Sequence, residues 1–261
     1  MTQESGPRAA AFFDLDRTII SGSSAFTFGH VAYNAGLFPR SELLKNLSSA
    51  ISFHFFGASD EKSELVKDRI LNSIKGTNVN DLRNLSAEIV PRLLDAVKRE
   101  SRGLIDLHHD AGRDTYIISA SPIEIISDLA TSMRMTGGIG TVAKVTEGIY
   151  TGELAEPFCY GEGKAIAIRK LAAANGYPLE LCYAYSDSAS DLPMLKTVGH
   201  PVAVNPDRNL EIVAHQRGWP IVEFGRARKR IITRTSTAVG AGAVAFVTYL
   251  LGRRNGRGAA S

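Results

Sequence analysis

The sequence predicts an α/β fold with a parallel, doubly wound sheet, and three observations carry that expectation. Short apolar runs end in polar residues suited to chemistry. Segments of helical character separate the runs. One long helical stretch interrupts the alternation near the start. Strands that alternate with helices favour a parallel sheet covered on both faces.

The first run is Ala9-Ala10-Ala11-Phe12-Phe13, which stops at Asp14. It reads as a buried strand whose carboxyl end presents side chains to a cleft, where open parallel sheets bind ligands. Thr115-Tyr116-Ile117-Ile118 is a second strand, followed by Ser119-Ala120-Ser121-Pro122. Leu181-Cys182-Tyr183-Ala184-Tyr185 is a third, followed by Ser186-Asp187, and Pro201-Val202-Ala203-Val204 is a fourth, followed by Asn205-Pro206-Asp207. Helices are expected over 122–133 and 164–174. Between the first two strands, helix-friendly runs occupy 41–52, 59–74 and 79–100. A structured connection of that length reads as an inserted cap rather than a loop. Segment 140–152 alternates around Glu147-Gly148 and reads as a hairpin. The expected division is a core of 9–21 and 106–222, a helical cap of 22–105, and a basic tail of 223–261.

Charge is unevenly spread. After Ile221 the single acid Glu223 faces eight bases, a net +7, whereas the whole chain carries +3, so residues 1–221 carry −4. The basic balance therefore belongs to the tail, and the body lacks the basic signature of nucleic-acid binding. The two cysteines, Cys159 and Cys182, are too few for a disulfide framework or a zinc site. A reducing cytoplasm is the default compartment, and the polar stretch 1–8 does not resemble a secretory signal.

Asp14 and Asp16 are separated by one residue at a strand end. On a strand, such carboxylates share a face and can reach one metal ion or one phosphorus atom. A phosphate monoester needs a nucleophile, a proton donor for the leaving oxygen, and positive charge on the phosphoryl group. Asp14 suits the first role and Asp16 the second. A lone pair of this kind is weak evidence, and its bland reading is a solvated turn. Ser119 offers a hydroxyl for a phosphate oxygen, although a serine there could merely cap a helix, a job for which Ser121 is better placed. Lys164, after Gly161-Glu162-Gly163, supplies a compact cation at a helix start. Asp187 and Asp191 bracket Ser188-Ala189-Ser190, and a carboxylate there can complete an oxygen shell for Mg²⁺.

In order, Asp14-Leu15-Asp16-Arg17-Thr18, Ser119, Lys164 and Ser186-Asp187-Ser188-Ala189-Ser190-Asp191 resemble the four motifs of the haloacid dehalogenase superfamily, in its phosphoserine-phosphatase-like branch. The resemblance covers about residues 9 to 220 and takes in Val204-Asn205-Pro206-Asp207. It implies a Rossmann-like core with a helical cap and hydrolysis through an aspartyl-phosphate on Asp14. It also implies Mg²⁺ held by the Asp14 carboxylate, the Asp16 backbone carbonyl and Asp187, with Asp191 orienting the site from nearby. Two departures stand out. Phosphoserine phosphatases proper carry a glutamate shortly after the first motif for the substrate ammonium group, whereas 17–41 contains no acid. Ala120 also follows Ser119 where a glycine is usual. The hydrolase core is expected; phosphoserine as its substrate is not.

Phe26, Phe28, Phe38, Phe53, Phe55 and Phe56 enrich the expected cap. They read first as its packing and second as a pocket for an apolar leaving group. His108-His109 is expected at the surface, and Cys182 as plain core. In the tail, 235–252 is uncharged, and 231–252 approaches the roughly 20 residues that span a bilayer. An apolar C-terminal helix and contact with anionic lipid through the basic run 226–234 follow as expectations. A small-molecule or lipid phosphate monoester is the expected partner. The alternatives are a phosphotransferase using the same intermediate and a non-catalytic membrane-attached scaffold.

Overall fold

The computed structural model describes residues 8–36, 67–68, 71–72 and 74–224. β1 (Ala10–Asp14) is entirely buried and lies at the centre of a six-stranded sheet. The other strands are β2 (Asp114–Pro122), β3 (Gly137–Thr141), β6 (Tyr183–Ser186), β7 (His200–Val204) and β8 (Ile221–Val222). Their order is β3-β2-β1-β6-β7-β8 and every pairing is parallel. β4 (Ala143–Thr146) and β5 (Ile149–Leu154) form a separate antiparallel hairpin.

Alternation along β1 shows why both faces are covered. Ala11 and Phe13 enter one apolar cluster, Ala10 and Phe12 the other. The first cluster is closed by α1 (Ser24–Asn34), α2 (Val79–Asp95), α3 (Arg99–Asp110) and α4 (Ile123–Ser132). The second is closed by α5 (Glu162–Asn175), α6 (Leu192–Thr197) and α7 (Arg208–Arg217). Fully burying a phenylalanine such as Phe12 or Phe13 is worth roughly 1.5–3 kcal/mol, so β1 is anchored from both sides. The doubly wound sheet is the fold that the sequence predicts.

The chain runs outward from β1 through β2 to β3, then returns to the other side of β1 as β6. The order of strands reverses between β1 and β6, and a crevice forms at their carboxyl ends. Register fixes what stands there. Asp14 is level with Ile118, one residue before Ser119, and Phe13 is level with Tyr185, two before Asp187.

The expected helix over 79–100 is two helices. α2 ends at Asp95, and the next residues pair with the strand-like exit from the first motif instead of continuing the helix. Val97 bridges Ile20, Ser21 N–H donates to Ala96 O at 2.9 Å, and Lys98 N–H donates to Ile19 O at 2.9 Å. α3 then packs on β2. The hairpin turn is where the sequence places it. Glu147 and Gly148 both have positive φ, 51° and 78°, as a two-residue hairpin turn of the primed type requires. β3 and β8 are additional strands: the first is glycine-rich and the second is two residues long, so neither gives an apolar run.

Among the described residues, no helix is long and apolar enough to cross a membrane. The candidate membrane helix 231–252, the basic run 226–234, the run 41–52 and Phe38, Phe53, Phe55 and Phe56 lie outside the described residues.

Candidate active site

The first motif leaves β1 through a tight turn, Leu15–Ile19, in which Asp16 is extended and Arg17 takes the left-handed conformation at φ 57°. A non-glycine residue there costs on the order of 1 kcal/mol, a strain that local function commonly retains. It sends the neighbouring side chains to different partners. Asp16 turns to the start of α1, where Ser24 N–H donates to Oδ1 at 2.5 Å and the Ser24 hydroxyl to Oδ2 at 2.9 Å. Arg17 turns across the crevice, and its Nη2 lies 2.8 Å from Asp187 Oδ2.

Lys164 arrives from the opposite side at the start of α5. Gly161 has φ 52° and ψ −118°, and a side chain at Gly163 would put its Cβ 1.8 Å from Phe158 O. Both glycines are needed for the helix to begin this tightly. Lys164 is buried, and its Nζ donates to Asp14 Oδ1 at 2.6 Å and to Asp191 Oδ2 at 2.8 Å. Ser186 Oγ donates to the same Asp191 oxygen at 2.7 Å. Asp207 holds the Asp187–Asp191 loop in place. It accepts from Ala189 N–H at 2.9 Å and caps α7 through Leu210 N–H at 2.8 Å, while its own N–H donates to Asp187 O at 2.7 Å.

Burial pushes the Asp14 carboxyl well above the usual carboxylate range; Lys164 opposes this, and Asp191, Asp187 and Asp16 reinforce it. Burial raises Asp187 to about 7, against the pull of Arg17. For Lys164 burial acts downward, but Asp14 and Asp191 outweigh it and its pKa rises. Asp187 Oδ2 and Asp191 Oδ1 are buried without a hydrogen-bond donor among the described residues. The Arg17 approach to Asp187 is thus a close ion contact without hydrogen-bond alignment. The buried carboxylates Asp14, Asp187 and Asp191, with Asp16 beside them, face the cations Lys164, Arg17 and the half-buried Lys98. Carboxylates with unfilled oxygens suit a hard divalent cation. Among the described residues no three His, Cys, Asp or Glu side chains form a complete metal-holding set.

The crevice thus gathers Asp14, Lys164, Asp187 and Asp191 around one point. Asp16 stands beside them on Ser24. Ser119 is buried at the level fixed by the β1–β2 register, and its Oγ accepts from Ser121 N–H at 3.2 Å. Ser121 does not cap the following helix: α4 begins at Ile123 with no side-chain cap, and the Ser121 hydroxyl lies 2.8 Å from Ser24 Oγ. His108 is buried, contrary to its expected place at the surface, because it lies on the inner side of α3 against Phe13, Tyr183 and Tyr185. Cys182 is core, as expected. Of the expected cap aromatics that are described, Phe28 packs on the core cluster and Phe26 is exposed. Arg17, Ser24, Ser186 and Asp207 join the site without having been singled out for it. The first two sit in or just after the first motif, the third closes a strand, and the fourth ends a strand-end run, but none has a residue type specific to this chemistry.

The carboxylates and the buried lysine stand at the switch point of a doubly wound sheet, where folds of this class bind their ligands. Residues 11–196 match the haloacid dehalogenase-like hydrolases, and the chain belongs to that family. It is 43% identical over 259 residues to a probable phosphatase of Mycobacterium tuberculosis, covering 95% of this chain and 90% of that one. It is 38% identical over 253 residues to phosphoserine phosphatase SerB1 of the same organism, covering 95% and 82%. A solved phosphoserine phosphatase, an analogue of its phospho-aspartyl intermediate, superposes with a TM-score of 0.59 at 16% identity, covering 83% of this chain and 93% of that one. The chain is a phosphatase of the phosphoserine-phosphatase-like type.

Proposed function

We propose that this phosphatase hydrolyses a small-molecule phosphate monoester through an aspartyl-phosphate on Asp14. One observation carries the reading: Asp14 is buried at the switch point of the sheet, with the Lys164 ammonium 2.6 Å from one of its oxygens. In the first step an Asp14 oxygen forms a bond to phosphorus and the bond to the leaving oxygen breaks. The electron pair goes to that oxygen, and the Asp16 carboxyl group supplies its proton. In the second step Asp16 takes a proton from water, the water oxygen attacks phosphorus, and the acyl-phosphate bond breaks to restore Asp14. Lys164 and Ser119 hold phosphoryl oxygens, and Lys164 keeps charge balanced as Asp14 changes state.

Mg²⁺ would be held by the carboxylates of Asp14 and Asp187 and the backbone carbonyl of Asp16, and when bound it supplies positive charge to the phosphoryl oxygens. Asp191, fixed by Lys164 and Ser186, orients this set. Exclusion of water during transfer is assigned to the segment inserted between the first motif and β2, the expected cap of 22–105 beside a core of 9–21 and 106–222. Its helices α1 and α2 also close the apolar cluster beneath β1. The substrate does not need an ammonium group, because 17–41 contains no acid to receive one. The basic tail of 223–261 extends the choice to lipid-linked phosphates, with 226–234 meeting anionic lipid.

The test is Mg²⁺-dependent phosphate release from a panel containing phosphoserine, other small phosphate monoesters and lipid phosphates, beside Asp14→Asn. Release that needs Mg²⁺ and disappears in the variant supports the proposal. Equal release by both proteins contradicts it.

A further inference from the structure

Both carboxylate oxygens of Asp16 are held by one residue, Ser24, which opens α1 and is buried. The Ser24 hydroxyl has a single proton. With that proton on Asp16 Oδ2 at 2.9 Å, its contact with Ser121 Oγ at 2.8 Å must be one in which Ser24 accepts. Ser121 is itself anchored, since its N–H donates to Ser119 Oγ at 3.2 Å. A chain of hydroxyls therefore runs from the end of β2 through the start of α1 to the first motif. At the same helix start the Ser23 side chain makes no capping bond. Asp16 takes an orphan amide of α1 in its place.

We infer that Ser24, backed by Ser121, is a positioning residue that fixes the Asp16 carboxyl group for proton transfer. The inference rests on the proposed role of Asp16 as acid and base. Hydroxyls donate or accept as required, so the same chain serves Asp16 in either role without moving a heavy atom. A helix-capping contact alone would need only the Ser24 amide. The hydroxyl on the second oxygen, with a partner behind it, adds orientation about the carboxyl axis.

The experiment compares two substrates on the full chain: p-nitrophenyl phosphate, whose leaving oxygen departs without a proton, and a primary alkyl phosphate, whose leaving oxygen needs one. Ser24→Ala is expected to lower kcat on the alkyl ester about tenfold, with KM changed less than about twofold and the aryl ester changed less than about threefold. Ser24→Thr restores most of the loss. In an Asp16→Asn background, Ser24→Ala adds nothing, because the group it positions is gone. An unchanged ratio between the substrates, or an undiminished effect in that background, overturns the inference while leaving Asp16 intact as the acid. If Asp16→Asn itself spares the alkyl ester, the role of Asp16 falls and the inference with it. Should Ser24→Ala fail to fold, the half-buried Ser121→Ala carries the same comparison, with a smaller loss expected in the same direction.

Discussion

Asp114 and Asp187 stand at opposite ends of the same sheet, and their surroundings differ in kind. Asp114 opens β2 at the amino edge and is fully served. Its Oδ2 accepts from Arg8 at 2.5 Å and from Tyr177 at 2.6 Å, and its Oδ1 accepts from Thr136 at 3.2 Å. Tyr116 and Thr115 extend that network behind it. Asp187 follows β6 at the carboxyl edge. It is more deeply buried, has one oxygen without a donor, and shares its neighbourhood with Asp14 and Asp191. A fold that satisfies polar groups completely at one edge is able to do so, and an unserved buried carboxylate is costly. The unfilled oxygens therefore mark the edge where something else is meant to bind.

Substitutions sharpen that contrast. The largest effect is expected from Asp14→Asn at the carboxyl edge. Phosphate release should fall about 10⁴-fold or more, as for loss of a nucleophile, while thermal unfolding shows a folded protein. Next is Lys164→Met, which leaves Asp14 and Asp191 without their buried cation. Urea unfolding should show a loss of roughly 3–5 kcal/mol, and turnover a loss of about 10²–10³-fold. Wild-type stability in this variant would mean that the two carboxylates do not depend on Lys164.

A third effect is conditional on pH. In the metal-free protein Asp187 titrates at about 7, raised above its ordinary 3.8. Its contribution to stability is therefore complete below the unfolded value and is lost as pH rises through about 7. Mg²⁺ should reverse that loss. At a hundredfold excess over its dissociation constant it should add about 2.7 kcal/mol at pH 8, and clearly less at pH 5, where protons compete for the carboxylates. Thermal shifts at the two pH values check this; an equal shift at both would disconnect the cation from these groups. The smallest effect belongs to the amino edge. Tyr177→Phe removes one of three donors to Asp114 and should cost about 1 kcal/mol in urea unfolding, with phosphate release unchanged.

The sequence made the carboxyl edge legible because its residues are charged and follow apolar runs. Asp14, Asp16, Asp187 and Asp191 could be singled out this way, and Lys164 by the glycines before it at a helix start, as could the parallel sheet itself. Ser24 could not, since its role depends on where the first-motif turn aims Asp16, and serine is common in loops. His108 was misplaced for a related reason: polarity gives no warning of a helix face turned toward Phe13 and Tyr185. The break between α2 and α3 was hidden because Val97 and Lys98 are ordinary helix residues by type, and only pairing with residues 19–21 pulls them out. β3 and β8 escaped because long-range pairing, rather than an apolar run, defines them.

The central claim is that Asp14 is the residue that becomes phosphorylated. It is tested most directly by quenching the enzyme in acid during turnover and mapping the adduct by peptide mass spectrometry. The account predicts one added phosphoryl group on the peptide bearing Asp14, absent from Asp14→Asn and discharged when turnover is allowed to finish. A phosphoryl group on another residue, or sustained turnover with no adduct in a quench fast enough to capture one, would contradict it.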